Sequence, residues 1–207
     1  MNSTALPTPI FIARPTDAPR GGVVVMMEGN GMSWQLLRVC ERLAAAGYVA
    51  VAPDVYHRLH AGDGDWQSAF GTLQPADALD DIRAAAAAAR EHGAERVGIT
   101  GFCMGGRLSY LAATNDVDLE AAVPFYGGGI DGILGAPRCP LLAFFGGNDE
   151  YVPTSAIEAV QGRHGNDVVV YPDAQHGFMR DGSPEYHETA APEAWRRALA
   201  FFAEHLG

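Results

Sequence analysis

The chain has 207 residues, 48% of them hydrophobic, and its 25 Asp and Glu outnumber 14 Lys and Arg to leave a formal net charge of -11. That is enough apolar material for one sizeable core, and a field of this sign excludes nucleic acid and anionic membrane surfaces as partners, so an anionic ligand would need local positive charge. Three cysteines, Cys40, Cys103 and Cys139, are an odd count that argues against a disulfide framework and for a reducing compartment; with no basic-then-apolar leader and no run long enough to span a bilayer, the expectation is a soluble, cytoplasmic protein.

Residues 9–13 read as a weak first strand, and residues 22–27, Gly-Val-Val-Val-Met-Met, as an apolar run of the kind covered on both faces in a parallel sheet. Residues 34–43 have helical spacing, with Ser33 placed to cap the helix and Gly47 to stop it. Another strand occupies 48–53. The stretch 58–72 reads as irregular. A long helix follows over 75–92, with Asp77, Asp80 and Asp81 near its start and Arg90 and His92 near its end, as the helix macrodipole favours. Its alanines, residues 84–89, are strong helix formers that let it lie close on a sheet. A short apolar strand over 95–100 runs through a glycine-rich turn into helical spacing over 107–113. Strands over 121–126 and 140–145, a helix over 154–164, a strand over 167–171 and a helix over 192–205 complete the chain. Strands and helices alternate throughout without a linker or an internal repeat. The pattern predicts a single α/β domain over 1–207, a doubly wound, mostly parallel sheet flanked by helices. Such sheets place their chemistry at the carboxyl ends of the strands, where Glu28, Cys103, Asp149 and His176 fall.

Residues 101–105, Gly-Phe-Cys-Met-Gly, have the spacing of a nucleophile elbow with cysteine in place of serine, between a strand and a helix as an elbow requires. Glycines 101, 105 and 106 remove the Cβ atoms that would clash around so tight a turn. A buried free cysteine in a glycine-rich turn is the competing reading. Asp149 follows one strand in the turn Gly146-Gly147-Asn148-Asp149, and His176 follows the next in Gln175-His176-Gly177. Taken singly, Asp149 suits a turn and His176 a satisfied loop. Together they give the chain order nucleophile, acid, histidine, which is that of the α/β-hydrolase triad. In this scheme the helix dipole and a neighbouring imidazolium favour the Cys103 thiolate, His176 moves the proton and Asp149 orients the ring. Backbone N–H groups of Met104 and, near the end of the second strand, Gly29 would form the oxyanion hole.

The elbow with Gly106, the Glu28 turn, Asp149-x-x-Val152-Pro153 and Gln175-His176-Gly177-Phe178 together resemble the dienelactone hydrolase (carboxymethylenebutenolidase) family over nearly the whole chain. The resemblance implies an α/β-hydrolase fold without a large lid and a Cys-His-Asp triad that opens a small activated ester or lactone through an acyl-Cys103 intermediate. It also implies that Glu28 pairs with the resting thiol until substrate displaces it, and that Arg180 holds a substrate carboxylate, which suits a guanidinium fork in an acidic protein. From the residues alone, the competing readings are a solvated loop charge for Glu28 and a surface arginine for Arg180. In the family, the segment after the strand matching 48–53 is longer and carries an arginine and a tyrosine for the substrate anion; Tyr56 and Arg58 are the substitutes by position. Tyr126, Phe178, Trp34 and Trp66 are candidates to line the pocket. His57, His60, Asp63 and Asp65 fit no closed zinc site, and the triad needs neither metal nor cofactor. Cys40 and Cys139 have no positioned base. Nothing in the chain indicates an oligomer. A carboxylesterase or thioesterase with a neutral substrate, and a non-catalytic ligand-binding protein of the same fold, are the alternative functions.

Overall fold

The computed structural model describes residues 7–59 and 66–207, with the side chains of all of these except Trp66 and Gln67. The uninterrupted apolar runs become the middle of one sheet: β2 (Gly21–Met26), β3 (Tyr48–Pro53) and β4 (Val97–Phe102) are buried along their whole lengths, as strands roofed by helices on both faces must be. β1 (Ile10–Ala13) is an edge strand. β5 (Ala121–Phe125), β6 (Ala143–Gly146) and β7 (Val168–Tyr171) extend the sheet on the other side. The strand order is β1-β3-β2-β4-β5-β6-β7. Among the paired strands of the described residues only β1–β3 is antiparallel, with Ile10 opposite Pro53; the register elsewhere sets Val23 between Ala50 and Gly98.

The helices are α1 (Trp34–Ala45), α2 (Trp66–Thr72), α3 (Pro75–Glu91), α4 (Met104–Thr114), α5 (Thr154–His164) and α6 (Ala190–Leu206). Ser33 caps α1 by accepting from the Leu36 N–H at 3.3 Å. The chain crosses from β2 to β3 in one direction and from β3 back past β2 to β4 in the other, so right-handed crossovers put α1 and α3 on opposite faces. On the α1 face, the Arg42 guanidinium lies 4.1 Å from the ring centroid of Trp195 in α6. Reversal of direction at β2 splays the loops that follow β2 and β4, and the crevice between them is where such sheets bind ligands.

Three departures from the sequence reading have local causes. Part of the stretch expected to be irregular is the helix α2, a seven-residue segment too short to show periodicity and with no acidic first turn to announce it. β6 begins at Ala143 rather than at Pro140, which lacks an N–H for the ladder; the Pro140 carbonyl accepts from Ala122 instead, at 2.9 Å. Helix α6 begins at Ala190, two residues before Pro192, because a proline in the first turn removes an N–H that has no intrahelical acceptor. His60, Asp63 and Asp65 lie outside the described residues, as does the side chain of Trp66.

Candidate active site

Cys103 joins β4 to α4 with φ 56° and ψ -117°, a left-handed backbone that a side chain adopts only when its surroundings enforce it. Its N–H donates to the Phe125 carbonyl at 3.1 Å, and its carbonyl accepts from the Arg107 N–H at 3.1 Å. The turn is tight enough that a Cβ on Gly105 would overlap the Met26 carbonyl oxygen. Cys103 itself is half-buried.

Asp149 stands in the turn that follows β6, its side chain fully buried. Oδ1 accepts from the N–H groups of Tyr151 at 2.8 Å and Val152 at 3.0 Å. Oδ2 is thereby aimed at His176 Nδ1, 2.8 Å away. An ionised carboxylate only accepts, so Nδ1 carries the proton and Nε2 is left for the Cys103 sulfur. The ring is gripped by Tyr126 and Tyr151, each with its centroid 5.0 Å from that of His176. Burial alone would lower the His176 pKa, but the Asp149 carboxylate and the Cys103 sulfur outweigh it and push the imidazole up to about 9.

Glu28, 8% exposed, is held through both carboxylate oxygens by Arg180 Nε at 3.1 and 2.9 Å. Its partner is this guanidinium, in place of the thiol that the family resemblance suggests; a charge-assisted bond is much stronger than one from a thiol. Met104 is the first residue of α4, so its N–H has no acceptor within the helix. Gly29 is buried beside it, and Tyr56 ties the two together. The Tyr56 hydroxyl donates to the Gly29 carbonyl at 3.0 Å and lies 3.2 Å from the Met104 sulfur, and burial pushes its pKa up to about 12.

An open cavity of about 540 Å³ unites these groups: Cys103, His176, Arg180, Met104 and Gly29 are on its wall. So are Phe70 of α2, Arg107 of α4 and Tyr151, which the sequence reading did not single out. Arg107 carried a signal, since the fourth residue after Cys103 lies one turn along the same helix face. An apolar groove of about 320 Å³ continues past Phe70, Met104 and Arg107 to Leu73, Leu108, Leu111 and Ile133.

Several expected pocket residues stand off this wall, Trp34 among them at 61% exposed. Phe178 is 0% exposed, packed among Phe125, Tyr126 and Tyr171, and so supports the site from behind with no face toward the cavity. Arg58 is drawn away by a buried carboxylate: Nη1 donates to Asp81 Oδ2 at 2.6 Å, and His57 Nε2 lies 3.1 Å from Oδ1 of the same residue. Tyr126 is also buried, behind His176, and burial pushes its hydroxyl well above the usual tyrosine range. Among the described residues no group of three or more His, Cys, Asp or Glu is placed to hold a metal ion, and no helix is long and apolar enough to cross a membrane.

A doubly wound sheet with an elbow after β4, an acid after β6 and a histidine after β7 is the arrangement of α/β-hydrolases. The profile of the dienelactone hydrolase family matches residues 9–206. A Salmonella typhimurium protein named "Putative carboxymethylenebutenolidase" is 35% identical over 96% of this chain and 83% of its own length. The crystal structure of a "Putative Dienelactone Hydrolase" from Klebsiella pneumoniae superposes with a TM-score of 0.85 at 32% identity, covering 96% of this chain and 93% of that one. A dienelactone hydrolase-like promiscuous phosphotriesterase from metagenomic libraries superposes with a TM-score of 0.73 at 26% identity, over 92% of this chain and 89% of its own. The chain belongs to the dienelactone hydrolase family, and with that membership and this fold it is a hydrolase.

Proposed function

We propose that the protein is a cysteine-dependent hydrolase of a small activated ester or lactone that carries a carboxylate, working through an acyl-Cys103 intermediate. The observation that carries this reading is the 2.8 Å bond fixing His176 on Asp149 within the cavity that also holds Cys103. In the first half-reaction the sulfur, its proton already held on His176 Nε2, attacks the scissile carbonyl carbon. The oxyanion is received by the N–H groups of Met104 and Gly29. Collapse breaks the C–O bond, and the imidazolium returns its proton to the leaving oxygen, which stays tethered to the acyl group when the substrate is a lactone. A His176 pushed up to about 9 keeps the proton until the leaving group needs it. In the second half-reaction His176 draws a proton from water, hydroxide adds to the thioester, and the C–S bond breaks to restore the thiol. Glu28 senses the substrate, because a carboxylate that reaches Arg180 competes for the N–H that Glu28 now holds.

Cys103→Ala is expected to lower turnover of 4-nitrophenyl acetate and of dienelactone by ~1,000-fold or more while the circular dichroism spectrum stays that of the parent. Turnover unchanged in that variant would remove the thiol from the reaction.

A further inference from the structure

Arg107 is the second cation on the wall of the reaction cavity, and nothing in the scheme above uses it. Its Nη1 donates to the carbonyls of Gly128, at 3.4 Å, and Gly129, in the turn that follows β5. Those carbonyls aim the guanidinium without neutralising it, since they carry dipoles and no net charge. Among the described residues Arg107 forms no ion pair. Arg180, by contrast, is already engaged at Nε by both oxygens of Glu28. An uncompensated cation beside a nucleophile, in a chain of net charge -11, is a local reversal of the field and a place where an anion is held.

We propose that Arg107 is the second anchor for the substrate carboxylate, a role played in the family by an arginine after the strand that corresponds to β3. In this chain that segment offers Arg58, which is bonded to Asp81. The anchor has instead moved to α4, where Arg107 follows Cys103 by four residues, about 6 Å of helical rise. The fitting substrate is therefore a short one, with its carboxylate a few bonds from the scissile carbonyl. The Nε and Nη2 edge of the guanidinium, which makes no hydrogen bond among the described residues, suits bidentate binding of that group. The adjoining apolar groove of Leu108, Leu111 and Ile133 accepts whatever hydrocarbon the substrate carries beyond it.

This inference rests on the acyl-Cys103 reading for its substrate, so its test has one arm that needs no turnover. In the first arm, alkylation of Cys103 by iodoacetate is compared with alkylation by neutral iodoacetamide. The rate ratio is expected to fall several-fold in Arg107→Gln and to recover in part in Arg107→Lys, while Arg196→Gln, on the exposed face of α6, keeps the parent ratio. In the second arm, KM for 4-acetoxybenzoate is expected to rise about tenfold more than KM for its neutral methyl ester in Arg107→Gln. Equal effects on anionic and neutral reagents would overturn the role of Arg107 and leave the hydrolase reading standing. Hydrolysis of neither ester by the parent protein would instead count against the acyl-Cys103 reading, and the alkylation ratio would still decide for or against Arg107.

Discussion

Asp149 divides its carboxylate between two tasks: Oδ1 is fastened by the N–H groups of Tyr151 and Val152, so Oδ2 has one direction left and His176 lies along it. That bond ties stability to pH. The imidazole is raised from 6.5 to about 9 in the fold, so its contribution is fully present below about 6.5 and is lost as pH rises through about 9. The gap in unfolding free energy between the parent and Asp149→Asn, read from urea denaturation, is expected to be on the order of 2 kcal/mol larger near pH 6 than near pH 10. A gap independent of pH would mean that His176 is not held as an imidazolium. At this scale the sequence located Cys103, Asp149 and His176 because each follows its own strand, which makes position along the chain a proxy for position in space. It did not expose the Glu28–Arg180 bond, which joins loops 152 residues apart, nor the capture of Arg58 by Asp81. Phe178 misled for a related reason, since an aromatic two residues after a histidine reads the same whether it faces a cavity or the core.

Elements matter here mainly through how closely they approach. The elbow places α4 against β2 with no room for a methyl group at Gly105. Gly105→Ala is expected to cost about 3 kcal/mol or more of unfolding free energy, because backbone must move to relieve the overlap. The contrasting case is Gly162 in α5, where an added Cβ meets nothing within 4 Å, so Gly162→Ala is expected to stabilise by about 0.5–1 kcal/mol through helix propensity alone. Similar effects at the two positions would contradict the close approach at the elbow. The strands of the sheet were legible because burial on both faces leaves continuous apolar runs, and α1, α3 and α5 because their lengths give the 3.6-residue period room to show. Helix α2 was hidden by its brevity. Its consequence is local, since Phe70 from this helix closes one side of the cavity.

Across the whole molecule, three thiols share one acidic chain and meet three different environments. Burial pushes the Cys40 thiol up to about 12 and, to a lesser extent, the Cys139 thiol to about 11, so neither offers a thiolate at neutral pH. Only Cys103 opens into the cavity beside His176. The odd cysteine count argued against a disulfide framework, and the fold leaves all three thiols free, but the difference between them comes from tertiary packing. The same holds for charge: the net value was readable, while the concentration of Arg107 and Arg180 around one cavity required the fold to bring α4 and the loop after β7 together. The claim on which the rest depends is that the acyl group passes through Cys103, and rapid-quench mass spectrometry during turnover of 4-nitrophenyl acetate tests it most directly. The account predicts a burst of about one equivalent of nitrophenolate with the acetyl group on the peptide that contains Cys103, and neither signal in Cys103→Ala. An acetyl group on another residue, or steady turnover by Cys103→Ala at the parent rate, would contradict it.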